Sequence, residues 1–227
     1  MNSPSVDLNA CPRSSWLCAT GLWLALASGC SSLLPKPPPQ PTFYSLDGMP
    51  AARSAARLRP LSMEIAAPTL IVNPPRAAAS FDSQHIIYVR EPHRLEYFAH
   101  SEWADTPARM LAPLLVAALD DEVAFRAVVT TASAASGDLR LDTEIVRLQH
   151  DFAAQPSRVR FTLRAVLVDN ATRRVIGWRE FDESVAAATD DPAGGVAAAN
   201  RAVQLVLGQL ASFCTAAASP WHPPPGR

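Results

Sequence analysis

The residue pattern predicts an α+β domain: a mainly antiparallel sheet of about five to six strands, with two helices packed on one face. Three observations carry this. Two long segments, starting at Asp138 and Arg158, alternate apolar and polar residues with a period of two. Two others repeat apolar residues at helical spacing, and each opens on a capping residue followed by proline. Short turn signals join the strands, so neighbours must double back on one another.

The elements follow in order. Thr42 to Leu46 is a first short strand. Leu61 to Ala66 is a second, ended by Pro68. Gln84–Arg90 and Arg94–Ala99 form a hairpin around Glu91-Pro92-His93, where Pro92 suits a turn. Thr106 is placed to cap a helix whose first position is Pro107, since proline's missing N–H has no helical partner there. Met110, Leu111, Leu114, Leu115, Ala118 and Leu119 make its apolar stripe, and Pro113 should bend it. Asp120-Asp121-Glu122 ends this helix as a solvated acidic terminus.

In the next strand Leu139, Leu141, Thr143 and Ile145 alternate with Asp138, Arg140, Asp142 and Glu144. Val159, Phe161, Leu163, Ala165 and Leu167 then alternate with Arg158, Arg160, Thr162 and Arg164. The wet faces are mainly acidic on one strand and basic on the other, which predicts cross-strand ion pairs. Asp169-Asn170-Ala171-Thr172 turns into a strand from Val175 to Val185. Asp191 caps the last helix with Pro192 behind it, and Val196, Ala199, Val203, Val206, Leu210 and Phe213 give it one apolar face. Gly194-Gly195 suits a closely packed helix start.

Residues 1–29 read as a lipoprotein signal peptide. Trp16–Leu26 is an apolar core too short to span a bilayer as a mature helix, which needs about 20 residues. It runs into Leu26-Ala27-Ser28-Gly29-Cys30, which looks like a bacterial lipobox, with Cys30 as the acylated residue. Residues 30–41 form the lipidated, proline-rich tether; repeated prolines favour an extended spacer of about 3.1 Å per residue. The folded domain covers 42–215, and 216–227 is a disordered tail. With so stable an anchor, the domain needs no membrane-inserting surface of its own.

The net charge is −1 over 227 residues, which argues against nucleic-acid binding. Of the four cysteines, two leave with the signal and Cys30 is acylated. Cys214 alone remains as a thiol, on the apolar face of the last helix, so the domain holds no internal disulfide. The chain has no Gly-x-Ser-x-Gly elbow, no phosphate loop and no His-Glu-x-x-His. The five histidines approach neither one another nor an acid at metal-ligand spacing along the chain. No enzyme, cofactor or metal site is expected.

Several segments together resemble the ABC-type transport auxiliary lipoprotein family. They are Phe43-Tyr44-Ser45-Leu46, Ile87-Tyr88-Val89-Arg90, Arg94 to Ala99, Trp103 to Leu111 and the closing helix from Pro192 through Asn200 to Phe213. The resemblance implies a non-catalytic part in moving lipid or other hydrophobic molecules across the envelope. The implied partner is a mammalian-cell-entry (MCE) domain protein of the same ABC-type system, met at the periplasmic face of the outer membrane. Ser31 after the cysteine agrees with outer-membrane sorting. A homo-oligomeric ring would suit such a conduit, although no residue pattern specifies one. Beside Tyr97 and Phe98, Trp103 either lines a partner surface or hydrophobic passage, or plugs one end of the core. Two rivals share the anchor and the small domain: an activator of a peptidoglycan synthase, and an envelope hydrolase with a scattered site.

Overall fold

In the computed structural model, residues 40–47, 67–122, 124–131, 133 and 136–222 are described. The strands are β1 (Thr42–Tyr44), β2 (Thr69–Val72), β3 (Arg76–Ala77), β4 (His85–Val89), β5 (Leu95–Trp103), β6 (Ala127–Thr130), β7 (Leu139–Asp151), β8 (Arg158–Asp169) and β9 (Val175–Ala186). The helices are α1 (Pro107–Asp120), between β5 and β6, and α2 (Pro192–Ala218), after β9. The expected second strand, Leu61–Ala66, lies outside the described residues.

The α+β class holds, but the sheet is mixed rather than mainly antiparallel, and among the described residues it has nine strands instead of five or six. Its spine is β7. One edge of β7 pairs antiparallel with β8, which pairs antiparallel with β9. The other edge receives three short strands in parallel: β2 beside Leu139–Leu141, β3 beside Glu144–Ile145 and β4 beside His150–Asp151. β6 extends β2 in parallel, β5 turns back antiparallel on β4, and β1 lies parallel to β5. The chain from Thr69 to Val89 therefore climbs along β7 in steps, each too short to show a period of its own.

Both helices and the inward side chains of β7 and β8 share one core, with Leu111, Leu115 and Leu119 of α1 and Val203, Val206 and Leu210 of α2 fully buried. α1 meets α2, and α2 lies along β8 and β9. Met110, Leu114 and Phe213 are half-buried at its margin. Pro113 faces water, which lets the helix run on without burying the unpaired carbonyl that proline leaves.

Local signals are mostly realised. At the hairpin turn, the Arg94 N–H donates to the Glu91 carbonyl (3.3 Å) and His93 takes a φ of 66° behind Pro92, as the third residue of a type II turn requires. The Gly194 N–H donates to Asp191 Oδ1 (2.7 Å), capping α2 as expected. Thr106 occupies the cap position of α1, but its side chain makes no capping bond; instead its own N–H donates to Asp105 Oδ1 (2.7 Å). The cross-strand ion pairs also form. Arg164 bridges Glu144 (3.3 Å) and Glu180 (3.0 Å) across three strands, and Arg160 meets Asp182 (3.1 Å). These pairs are exposed, so each adds at most about 1 kcal/mol.

The end of the chain departs from the expected tail. α2 continues to Ala218, and the Trp221 indole N–H donates to Asp169 Oδ2 (2.8 Å), pinning residues 216–222 to the turn after β8. The helical period outlasts position 215 because Cys214 and Ala218 are buried. The Cys214 thiol is pushed up to about 12, chiefly by burial and secondarily by Glu122. We expect its labelling by a thiol reagent at pH 8 to proceed no faster than global unfolding. Rapid labelling of residues 30–227 carrying Cys30→Ala, in which Cys214 is the sole thiol, would contradict this packing under native conditions.

Candidate functional site

Cys30 lies outside the described residues. The two other residues singled out in the sequence, Tyr97 and Trp103, lie on opposite faces of β5, because the irregularity in its pairing with β4 falls between them. Trp103 is 3% exposed and belongs to the core; its backbone N–H donates to the Gln84 carbonyl (2.7 Å). It is therefore a core residue, not the exposed partner surface that the sequence allowed. Tyr97 is 55% exposed and stacks on His85, with ring centroids 4.2 Å apart. Leu95, two residues before it on the same face, is also exposed, as is Phe43 on the neighbouring β1.

β1 is fixed tightly although it is only three residues long. It pairs with Ser101–Trp103, and the Tyr44 carbonyl accepts from the Ala104 N–H (2.7 Å). Asn200 of α2 clamps the following residues: its Nδ2 donates to the Ser45 carbonyl (3.1 Å), and its Oδ1 accepts from the Asp47 N–H (2.9 Å). The point where the tether would join the domain is thus bolted to both the sheet and the long helix.

The most chemical-looking constellation is one that sequence reading missed. The His150 Nε2 and Ser157 Oγ atoms lie 2.8 Å apart, and Ser157 Oγ donates to Asp190 Oδ1 (2.5 Å). Because the serine proton goes to Asp190, His150 must donate from Nε2, so it is the Nε2–H tautomer. The order is then histidine, serine, aspartate, with the hydroxyl in the middle. A nucleophilic serine needs the imidazole as its base and an open face for substrate. Ser157 has neither: it is fully buried and its hydroxyl is held from both sides. The group ties the start of β8 and the loop before α2 to the end of β7. Among the described residues, no three histidine, cysteine or acidic side chains are placed to hold a metal ion.

His150 Nδ1 is buried without a hydrogen-bond partner among the described residues, against Gly195 of α2. Burial lowers the His150 pKa from its ordinary 6.5, outweighing the opposing pull of Asp190, Asp151 and Asp191. A histidine depressed on folding contributes stability that is complete above pH 6.5 and is lost as pH falls from 6.5 through the folded value. We expect the urea midpoint to drop on acidification below pH 6.5, with a slope of at most about 1.4 kcal/mol per pH unit. His150→Gln should flatten that slope. The carboxylates of Asp169 and Asp191, held low by the Thr172 and Gly194 backbone N–H groups respectively, act only lower, where pH falls through their depressed values. An unchanged midpoint between pH 7 and pH 5 would show that His150 is charged in the fold.

These features define a class: a mixed-sheet α+β domain whose buried polar side chains lock strands to helices, with its apolar exposure at the sheet's margins. The chain belongs to the ABC-type transport auxiliary lipoprotein family, whose sequence profile matches residues 44–211. It is thus an auxiliary component of an ABC-type transport system and an envelope lipoprotein. Among solved structures it resembles protein XCC0632 of Xanthomonas campestris, at 25% identity and a TM-score of 0.61, over 66% of this chain and 86% of that one. An uncharacterized protein, at 13% identity and a TM-score of 0.59, is matched over 77% of this chain and 99% of its own. The hypothetical protein CT253 of Chlamydia trachomatis follows at 8% identity and 0.50, over 67% and 98%. The last two likenesses concern the fold alone. No curated protein sequence matches this one.

Proposed function

We propose that this protein is a non-catalytic auxiliary of an MCE-type lipid transport system, anchored by acylated Cys30 to the periplasmic face of the outer membrane. The observation that carries the reading is the family match, which begins at residue 44, fourteen residues after the lipobox cysteine. An acylated cysteine and a short tether would hold the domain at a fixed height, where it meets the far end of an envelope-spanning assembly. Local concentration then replaces much of the affinity that the contact would otherwise need.

The edge of the sheet away from β1 supplies a surface for that partner. β9 pairs only with β8 among the described residues, leaving a twelve-residue strand edge. Exposed strand edges accept added strands, and exposed indoles at such edges are frequent anchors of binding. Trp178 is 68% exposed on β9, with Val175 near it. Trp178→Ala should leave stability within about 0.5 kcal/mol and lower partner recovery about tenfold.

The test is crosslinking in intact cells from a photoreactive residue at position 178, followed by pulldown and mass spectrometry. Recovery of an MCE-domain protein, diminished in Cys30→Ala, supports the reading. Recovery of peptidoglycan synthases would transfer the protein to the rival role.

A further inference from the structure

We propose that the β1–β5 edge of the domain, bearing Phe43, Leu95 and Tyr97, rests on the zwitterionic phospholipid interface of the membrane that holds the anchor. The inference rests on Cys30 being the attachment point, and adds a direct contact between domain and bilayer.

Strand direction comes first. β5 begins just after the turn at Glu91–Arg94, and β1 runs parallel to it, Thr42 opposite Ser101 and Tyr44 opposite Trp103. The beginning of β1 therefore faces the hairpin turn. Only ten residues separate Cys30 from Gln40, a contour of at most about 35 Å. The hairpin end lies on the side from which the chain enters the domain.

Three large apolar side chains are exposed along this edge: Phe43, Leu95 and Tyr97, at 59%, 47% and 55%. β1 covers only the last three residues of β5, so Leu95–His100 has no strand partner on this side among the described residues. The residues before β1 include Pro35, Pro37, Pro38, Pro39 and Pro41, whose backbones lack the N–H that a ladder needs. Thr42 is thus where pairing to β5 starts.

Placement and charge favour a membrane surface. Phe43 is in register with Glu102, and Glu102 with His85, on which Tyr97 stacks, so Phe43, Leu95 and Tyr97 share the outer face of the sheet. The apolar groups therefore form one outward patch along the edge. Such a patch can enter the headgroup region without opening the core, and an amphipathic phenol suits that depth. The nearby charges cancel: Arg90 pairs with Glu96 (2.7 Å), and Arg94 with Glu96 (3.0 Å) and Glu91 (3.5 Å). A neutral end fits zwitterionic headgroups and gives anionic ones no extra hold.

The test couples the mature chain, residues 30–227, through Cys30 to a maleimide phospholipid in phosphatidylethanolamine–phosphatidylcholine vesicles; Cys214 is buried and does not compete. Amide hydrogen exchange is compared with that of the uncoupled chain. The expected result is about tenfold slower exchange in Thr42–Tyr44 and Leu95–His100, as for an edge docked nine-tenths of the time, with β9 unchanged. The triple variant Phe43→Ser, Leu95→Ser, Tyr97→Ser should stay coupled and lose the slowing. Unchanged exchange in the coupled wild type overturns the proposal. So does slowing that appears without vesicles and grows with protein concentration, which would mean strand addition by another copy. Chemical coupling bypasses cellular acylation, so an unmodified Cys30 in cells would refute the anchor while the vesicle result is read separately.

Discussion

Cys30→Ala is expected to move the protein from the membrane fraction to the soluble periplasm and to abolish complementation of a deletion, while leaving the thermal unfolding of the domain unchanged. Position 30 precedes the first described residue of the domain by ten, so no core contact changes. The lipid contributes about 0.8 kcal/mol per buried CH₂; one acyl chain binds marginally, and two or more hold stably. The domain cannot replace that. Phe43, Leu95 and Tyr97 would each yield at most about 1.5–3 kcal/mol if fully buried, and an interface buries them only in part. Fractionation, unfolding curves and complementation check the three arms together. Full complementation by a secreted, unlipidated form would show that fixed height is not what the protein supplies.

What the sequence reveals and hides follows from the range of each interaction. β7, β8, β9 and α2 are legible because one face is wet, the other dry, and the connecting turns are local. β2 and β6 are not. Thr69-Leu70-Ile71-Val72 and Ala127-Val128-Val129-Thr130 are short runs without alternation, as parallel strands inside a sheet tend to be. Their partners are remote, since Leu70 pairs with Leu139, and no local period encodes that pairing. The mixed character of the sheet is therefore invisible until β7 is seen gathering three strands along one edge. The site residues show the same limit. Strict alternation would put Leu95, Tyr97, Ser101 and Trp103 on one face of β5, but the register against β4 shifts between Tyr97 and Glu102, so the first two face outward and the last two face the core. Such a bulge reverses the faces without leaving a period in the sequence. His150, Ser157 and Asp190 escaped for a related reason, being joined by separate loops with no fixed spacing.

Gly195→Ala is expected to destabilise the domain by about 1–3 kcal/mol, although alanine is the better helix former. A Cβ at this position would lie 2.5 Å from His150 Nδ1 and 3.1 Å from the neighbouring ring carbon. The imidazole has little room to yield, because its Nε2 is held by Ser157 and its face packs on Phe152 with centroids 4.1 Å apart. For a domain of this size the loss lowers Tm by about 2–4 °C per kcal/mol. The background decides the mechanism. In His150→Ala the obstructing ring is gone, and Gly195→Ala should then become neutral or stabilising by up to about 1 kcal/mol, the ordinary gain of alanine over glycine inside a helix. A change of sign between the two backgrounds, read from urea midpoints in a double-mutant cycle, would assign the cost to this single contact. If Gly195→Ala costs the same in both, the start of α2 is constrained by something other than the imidazole.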